Sequence, residues 1–151
     1  MIDDLYSSRI LGLAANMPHG GRLVAPQATS EKTAKLCGST VIVDLSLDEE
    51  GRVAAFAQDV RACALGQASA AVLGAAVIGA TALEIDSARD ALRAMLKSGG
   101  PAPGGRFADL AVLAPVQDYP ARHASTLLAF EAASDAARHA LGARTSPAVA
   151  G

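Results

Sequence analysis

Aromatic side chains are scarce in this chain. The sequence has no tryptophan, three phenylalanines and two tyrosines among 151 residues. Hydrophobic residues nevertheless make up 51% of it, and a chain of this length suits one domain with a sizeable core. We therefore expect a globular protein with a mainly aliphatic core. Alanine is abundant, which favours helices.

The sequence also lacks a strong excess of positive or negative charge, and it contains no block of basic residues. The formal net charge is −2 at pH 7. Recognition of phosphate backbones relies on clustered lysine and arginine, so the composition argues against nucleic acid as a partner. The acidic start Met1–Asp4 is unlike a secretory leader. With only two cysteines, these features indicate a reducing compartment, and we predict a cytoplasmic protein.

The stretch from Ala62 to Leu83 contains no charged residue. A transmembrane helix needs about 20 predominantly apolar residues. This stretch is interrupted by glycines and polar residues and is otherwise mostly alanine, which contributes little to membrane insertion. We predict a buried helix here and no association with a membrane.

Periodicity predicts a helix followed by a small antiparallel sheet. Residues 3–15 read as a helix, with Leu5, Ile10 and Leu13 on one face. Residues 22–36 look extended or irregular. The segment 40–48 alternates as a half-buried strand, with Asp44 on the side away from its apolar residues. A turn at 48–51 leads into a partner strand over 52–60.

The second half of the chain reads as helical. We predict helices over 64–78 and 86–97, a flexible loop over 98–105, a short helix over 107–116, and a last helix from Pro120 to about Leu141. The order of elements predicts an α+β fold in which a small antiparallel sheet packs against a group of helices. We expect a single domain over residues 1–141 and a disordered tail over 142–151.

Four short motifs stand out by their order and spacing. Residues 16–21 (Asn-Met-Pro-His-Gly-Gly) follow the first predicted helix, Cys37 precedes a glycine, Cys63 precedes a small-residue helix, and residues 119–122 read Tyr-Pro-Ala-Arg. Together they resemble the U-type iron–sulfur cluster assembly scaffold family (SufU/IscU/NifU) over most of residues 5–141. The extra stretch around 98–112 resembles the SufU branch. The resemblance implies the IscU/SufU-like version of the α+β fold.

The resemblance also implies a site of three thiolates and a carboxylate. In the family this site holds zinc or a nascent cluster and receives sulfur from a cysteine desulfurase for recipient apo-proteins. Cys37 and Cys63 match two of the ligands, whereas Ser39 stands at the aspartate position and Ser125 at that of the third cysteine. A neutral hydroxyl is a poor ligand for a soft or borderline metal. A metal site on one chain is therefore expected to be weak, open or absent.

Three additions could complete such a site. His123 could supply an imidazole, two chains could pool their cysteines in a homodimer, or an external thiol could bind. Ser39 and Ser125 are expected to cap the backbone or form local hydrogen bonds. For His123 the simpler interpretation is an ordinary exposed histidine at a helix start.

Other residues are expected to tune the two thiols. A helix N-terminus at Cys63 and the positive charge of Lys35 near Cys37 would each favour a thiolate, so either cysteine is a possible sulfur acceptor. Arg122 is a possible partner-binding residue, and an ordinary solvated arginine is the alternative. The cysteines themselves could also be inert core residues.

The resemblance favours one function and leaves others open. We expect an iron–sulfur cluster assembly scaffold or sulfur acceptor that carries iron, a transient cluster or zinc and is not an enzyme. The alternative is a degenerate family member that acts as a protein-binding adaptor without a cluster. A weaker option is a thiol redox protein that uses Cys37 and Cys63 as a reversible pair, which requires their Cα atoms to lie within about 7 Å.

Overall fold

The computed structural model describes residues 7–35 and 37–145. Its elements follow the predicted order of one helix, a small sheet and further helices. They are helix α1 (Ser8–Ala15), strands β1 (Ala28–Ala34), β2 (Ser39–Leu47) and β3 (Val53–Arg61), helices α2 (Ala64–Ala76) and α3 (Ala82–Ser98), two 3₁₀ segments (Gly105–Asp118 and Pro120–Arg122) and helix α4 (His123–Thr145). This is the predicted α+β fold. Ile10 of α1 is buried, whereas Leu5 lies outside the described residues.

The three strands form one antiparallel sheet in the order β1-β2-β3. The alternating apolar residues of β2, which are Val41, Val43, Leu45 and Leu47, are all buried as predicted. Helix α4 packs against β1 and β2, and α2 packs against β3. In the turn between β2 and β3, the Asp48 carboxylate accepts hydrogen bonds from the backbone N–H groups of Glu50 (2.9 Å) and Arg52 (3.0 Å).

Strand β1 is more regular than the sequence predicts. It lies within the segment 22–36, which was expected to be extended or irregular. Only Ser30 and Ala34 are buried in this strand. Because neither is a large apolar residue, no alternation of hydrophobicity marks the strand, and its pairing with β2 is what makes it regular.

The helical half departs from prediction at its boundaries. Helix α3 begins after Thr81, four residues before Asp86, because Thr81 and Glu84 form a capping box. The stretch predicted as a short helix is 3₁₀ and contains Pro115. Helix α4 begins at His123 and continues to Thr145, so residues 142–145 are helical and do not belong to a disordered tail. Residues 146–151 lie outside the described part.

Helix α2 is buried along most of its length, as predicted. None of the described helices is both long enough and apolar enough to span a bilayer.

Two glycines of helix α2 are required because neighbouring backbone atoms approach them closely. A Cβ on Gly66 would lie 3.0 Å from the backbone oxygen of Ser125 in α4, and one on Gly74 would lie 2.8 Å from the backbone oxygen of Pro18.

Asp44 differs most from its predicted environment. It lies on the outer face of the sheet as expected, yet its side chain is fully buried. The Arg22 guanidinium binds its two carboxylate oxygens at 2.6 and 3.1 Å. The Leu23 N–H and the Thr29 hydroxyl donate to it at 3.0 and 2.6 Å. These contacts hold the loop before β1 against the outer face of the sheet.

We predict that Asp44→Asn destabilises the fold. The substitution removes a buried charge that accepts four hydrogen bonds, and bonds to charged groups contribute about 1.5–3 kcal/mol each when their partner is lost. The free energy of unfolding in urea should therefore fall by about 2–4 kcal/mol. Asp109→Asn is the control, because that carboxylate is 72% exposed, and it should change the value by less than about 0.5 kcal/mol. Equal effects of the two substitutions would contradict a stabilising role for the hydrogen bonds of Asp44.

The same carboxylate predicts a pH dependence. Burial raises the pKa of Asp44, but the hydrogen bonds led by that of Arg22 outweigh it and hold the pKa below its ordinary value. Its contribution to stability is therefore complete above the ordinary carboxyl pKa and is lost as the pH falls through the lowered one. Unfolding titrations below pH 5 or so should show a shallower acid loss in Asp44→Asn than in the wild type.

Candidate functional site

The two cysteines lie at the same end of the sheet. Cys37 is in the turn between β1 and β2, and Cys63 follows β3 as the N-cap residue of α2. Thr40 at the start of β2 pairs with Arg61 at the end of β3. The antiparallel register therefore brings the segments that carry the two thiols to one edge of the fold.

Cys37 is exposed and contacts a serine. Its Sγ lies 3.1 Å from the Oγ of Ser39, which is buried at the first position of β2. Gly38 between them has φ +73°, a conformation that favours glycine. Hydrogen bonding with the Ser39 side chain lowers the pKa of the Cys37 thiol from its ordinary value, and the charge of Arg122 adds to this. Cys37 is therefore an accessible thiol with enhanced thiolate character.

Cys63 contacts the other serine. Its Sγ is 3.4 Å from the Oγ of Ser125, which is buried in the first turn of α4. The Ser125 hydroxyl donates to the backbone oxygen of Arg122 at 3.2 Å, so it forms the expected local hydrogen bond and does not cap a free N–H group.

His123 is buried, not exposed as the simpler interpretation held. Its Nε2 lies 2.9 Å from the backbone oxygen of Val116 and 3.2 Å from that of Gln117. An imidazole nitrogen facing two carbonyl oxygens carries a proton and cannot bind a metal. Only Nδ1 remains for the predicted role as a substitute ligand. The observed contacts instead fasten the 3₁₀ segment to the start of α4.

Arg122 adds a positive charge near Cys37. It is exposed in the short 3₁₀ segment before α4 and contributes to the lowered pKa of that thiol. The sequence suggested Lys35 for this role because it is two residues away along the chain. Arg122 is 85 residues away in sequence, and only the packing of α4 against β1 and β2 brings its segment to Cys37.

The described residues contain no group of three or more His, Cys, Asp or Glu side chains arranged to hold a metal ion. The site on one chain offers two thiols and two hydroxyls, each thiol paired with one serine. A neutral serine is a weak donor for zinc or iron. The arrangement is therefore better suited to thiol chemistry than to firm coordination of a metal by a single chain.

Comparison with known proteins identifies the family. A model of the NifU-like N-terminal domain matches residues 5–126. The chain belongs to the NifU-like N-terminal domain family. This is a family of iron–sulfur cluster assembly scaffolds, as the resemblance in the sequence indicated. No curated protein sequence matches the chain.

Two solved structures illustrate the family fold. The N-terminal part of a nitrogen-fixing NifU-like protein from Brucella abortus is 52% identical, with a TM-score of 0.91 over 96% of this chain and 99% of that one. FiSufU from Fervidobacterium islandicum AW-1, a candidate cluster assembly scaffold of the SUF system, is 21% identical, with a TM-score of 0.81 over 89% of this chain and 98% of that one. The second likeness shows the fold alone, so assignment to the SufU branch stays a prediction.

We predict that Ser39→Ala raises the pKa of the Cys37 thiol, because the substitution removes the hydrogen bond that contributes most to lowering it. The rate of Cys37 alkylation by iodoacetamide at neutral pH should fall, and its pH profile should move to higher pH. Ser125→Ala is the matched control, since Ser125 contacts Cys63 and not Cys37. A profile unchanged in Ser39→Ala would show that this hydrogen bond does not tune the thiol.

Proposed function

We propose that this chain is a sulfur acceptor and transient scaffold in cytoplasmic iron–sulfur cluster assembly. It receives sulfur from a cysteine desulfurase and passes its cargo to recipient apo-proteins, without being an enzyme itself. The observation that carries the proposal is the pairing of each cysteine with the serine at another family ligand position, at one end of the sheet. These contacts support the proposal that the four positions of the family site act together although two of the ligands differ.

Cys37 is the proposed acceptor thiol. It is exposed, and both Ser39 and Arg122 favour its thiolate. That thiolate attacks the outer sulfur of the persulfide on the desulfurase. The desulfurase cysteine leaves as a thiolate, and the outer sulfur, with its proton, becomes bonded to the sulfur of Cys37. One S–S bond forms as another breaks, so the transfer needs no external oxidant or reductant.

Cys63 is the proposed second donor for the cargo. It is half-buried and held against Ser125, so it is less accessible to an incoming partner than Cys37. Two thiolates leave the shell of a bound iron, zinc or cluster incomplete. A second copy of the chain or an external thiol would complete the ligand shell. A shell completed in this way suits cargo that is held briefly and then released.

Sulfur transfer tests the proposal directly. The chain is incubated anaerobically with a cysteine desulfurase and cysteine, and the sulfur added to each thiol is located by mass spectrometry. We expect one added sulfur on Cys37, reduced strongly in Cys37→Ala and retained in Cys63→Ala. Absence of added sulfur in the wild type, with the desulfurase active toward a known acceptor, would overturn the proposal.

An adaptor without a cluster is the second candidate. The lack of a metal-binding group among the described side chains favours it. In that case the desulfurase would still bind the chain, and Cys37→Ala and Cys63→Ala would leave that binding unchanged while no sulfur is transferred. The transfer experiment therefore separates the two candidates.

We predict that restoring both ligands creates a zinc site. Ser125→Cys places a third sulfur beside Cys63, and Ser39→Asp places a carboxylate beside Cys37, at positions where the serine oxygens now lie 3.4 and 3.1 Å from the thiols. Structural zinc takes four such ligands in a tetrahedron. Competition with a chromophoric chelator should show one zinc per chain, bound more tightly than by the wild type.

The control for this prediction is the same double variant carrying Cys63→Ala. It should lose most of the gained affinity, because three ligands remain. A folded double variant that binds zinc no better than the wild type would show that the four positions do not converge.

A further inference from the structure

The outer edge of β3 is only partly covered. A loop lies against it at Gln58, whose N–H donates to the backbone oxygen of His19 at 2.9 Å and whose C=O accepts from the N–H of Gly21 at 2.8 Å. Gly20 thereby forms a parallel bridge with this strand. The chain itself shows that this edge pairs with an extended segment.

The covering ends at Gly21. The next residue, Arg22, turns away to bind Asp44 on the outer face of the sheet. In an antiparallel sheet the backbone groups of alternate residues point to the same edge, so the N–H and C=O of Val60 face outward as those of Gln58 do. No other residue in the described ranges supplies a hydrogen-bond partner to them.

A cavity of about 290 Å³ borders these free groups. Val60, Gly20, Gly21, Asp59 and Gln67 are among its lining residues. Gln67 belongs to the first turn of α2, and its side-chain amide donates a hydrogen bond to the backbone oxygen of Ala62 at 2.8 Å. The cavity therefore lies between the open strand edge and helix α2, whose N-cap is Cys63.

We propose that the open edge at Val60 pairs with an extended segment of the sulfur donor protein, and this rests on the proposed function. A free donor and acceptor on one strand residue are complementary to the main chain of an extended peptide. Cys63 is three residues beyond Val60, a distance of about 10 Å along a strand. A segment paired at Val60 would run toward the end of the sheet where both thiols lie.

The charge at this end suits the thiolate that leaves the donor protein during sulfur transfer. Arg61 ends the strand with its side chain 80% exposed and pairs with Asp59 at 3.6 Å, whereas Arg122 is exposed and its charge acts on Cys37. The departing desulfurase thiolate would lie near Arg122, beside the acceptor thiol. Main-chain pairing fixes the path of the segment, and the cation stabilises the negative charge that develops on it.

Val60→Pro tests the pairing. Proline removes the outward N–H and is tolerated at edge positions, because no bond of the β2–β3 ladder is lost there. We expect the rate of sulfur transfer from the desulfurase to fall roughly tenfold. Sulfur uptake from inorganic polysulfide, which needs no docked protein, should stay at the wild-type rate. Glu31→Pro is the matched control, since it places proline at an outward-facing position on the opposite edge strand β1.

Hydrogen exchange in the wild-type chain gives a second readout that does not depend on how the variant folds. The Val60 amide should exchange more slowly when the desulfurase is added. Equal transfer by Val60→Pro and the wild type, or unchanged exchange at Val60 during binding, would overturn the inference while leaving the proposed function intact. No transfer to the wild type would overturn both.

Discussion

The close contact between α2 and α4 at Gly66 determines the geometry of the whole site. At that point the backbone oxygen of Ser125 would lie only 3.0 Å from any added Cβ. The approach places the first turn of α4 beside the first turn of α2, so that Ser125 reaches Cys63 and Arg122 acts on Cys37. A larger residue at Gly66 would separate the two helix starts and with them the two halves of the site.

The two serines set the chemistry of the candidate site. Each stands where the resemblance implies a family ligand, and each contacts one cysteine. Replacing a thiolate and a carboxylate by hydroxyls removes two negative charges and two good metal donors. Hydrogen bonding to Ser39 favours the Cys37 thiolate. The weak metal donors and the favoured thiolate are the basis on which we propose that the site accepts sulfur.

Much of the fold could be predicted from local patterns. The alternation in β2 identified residues that are all buried. Strand β1 has no such pattern, because its regularity comes from pairing with β2. The burial of Asp44 depends on Arg22, which lies in a loop that periodicity cannot place.

The sequence could predict the candidate residues of the site but not the contacts among them. The motifs identified both cysteines, both serines and Arg122. They could not show that the charge of Arg122 acts on Cys37, or that His123 is engaged by two backbone oxygens. Those contacts join segments far apart in sequence and follow from how α4 packs.

The most direct test of the proposed function is the cargo that the chain carries in cells. The protein is isolated anaerobically, and its sulfane sulfur, acid-labile sulfide, iron and zinc are measured beside those of Cys37→Ala and Cys63→Ala. We predict sulfane sulfur on the wild type that Cys37→Ala abolishes, with less than one metal ion per chain. Folded protein that carries neither sulfur nor metal in all three forms would contradict a role in carrying cluster components.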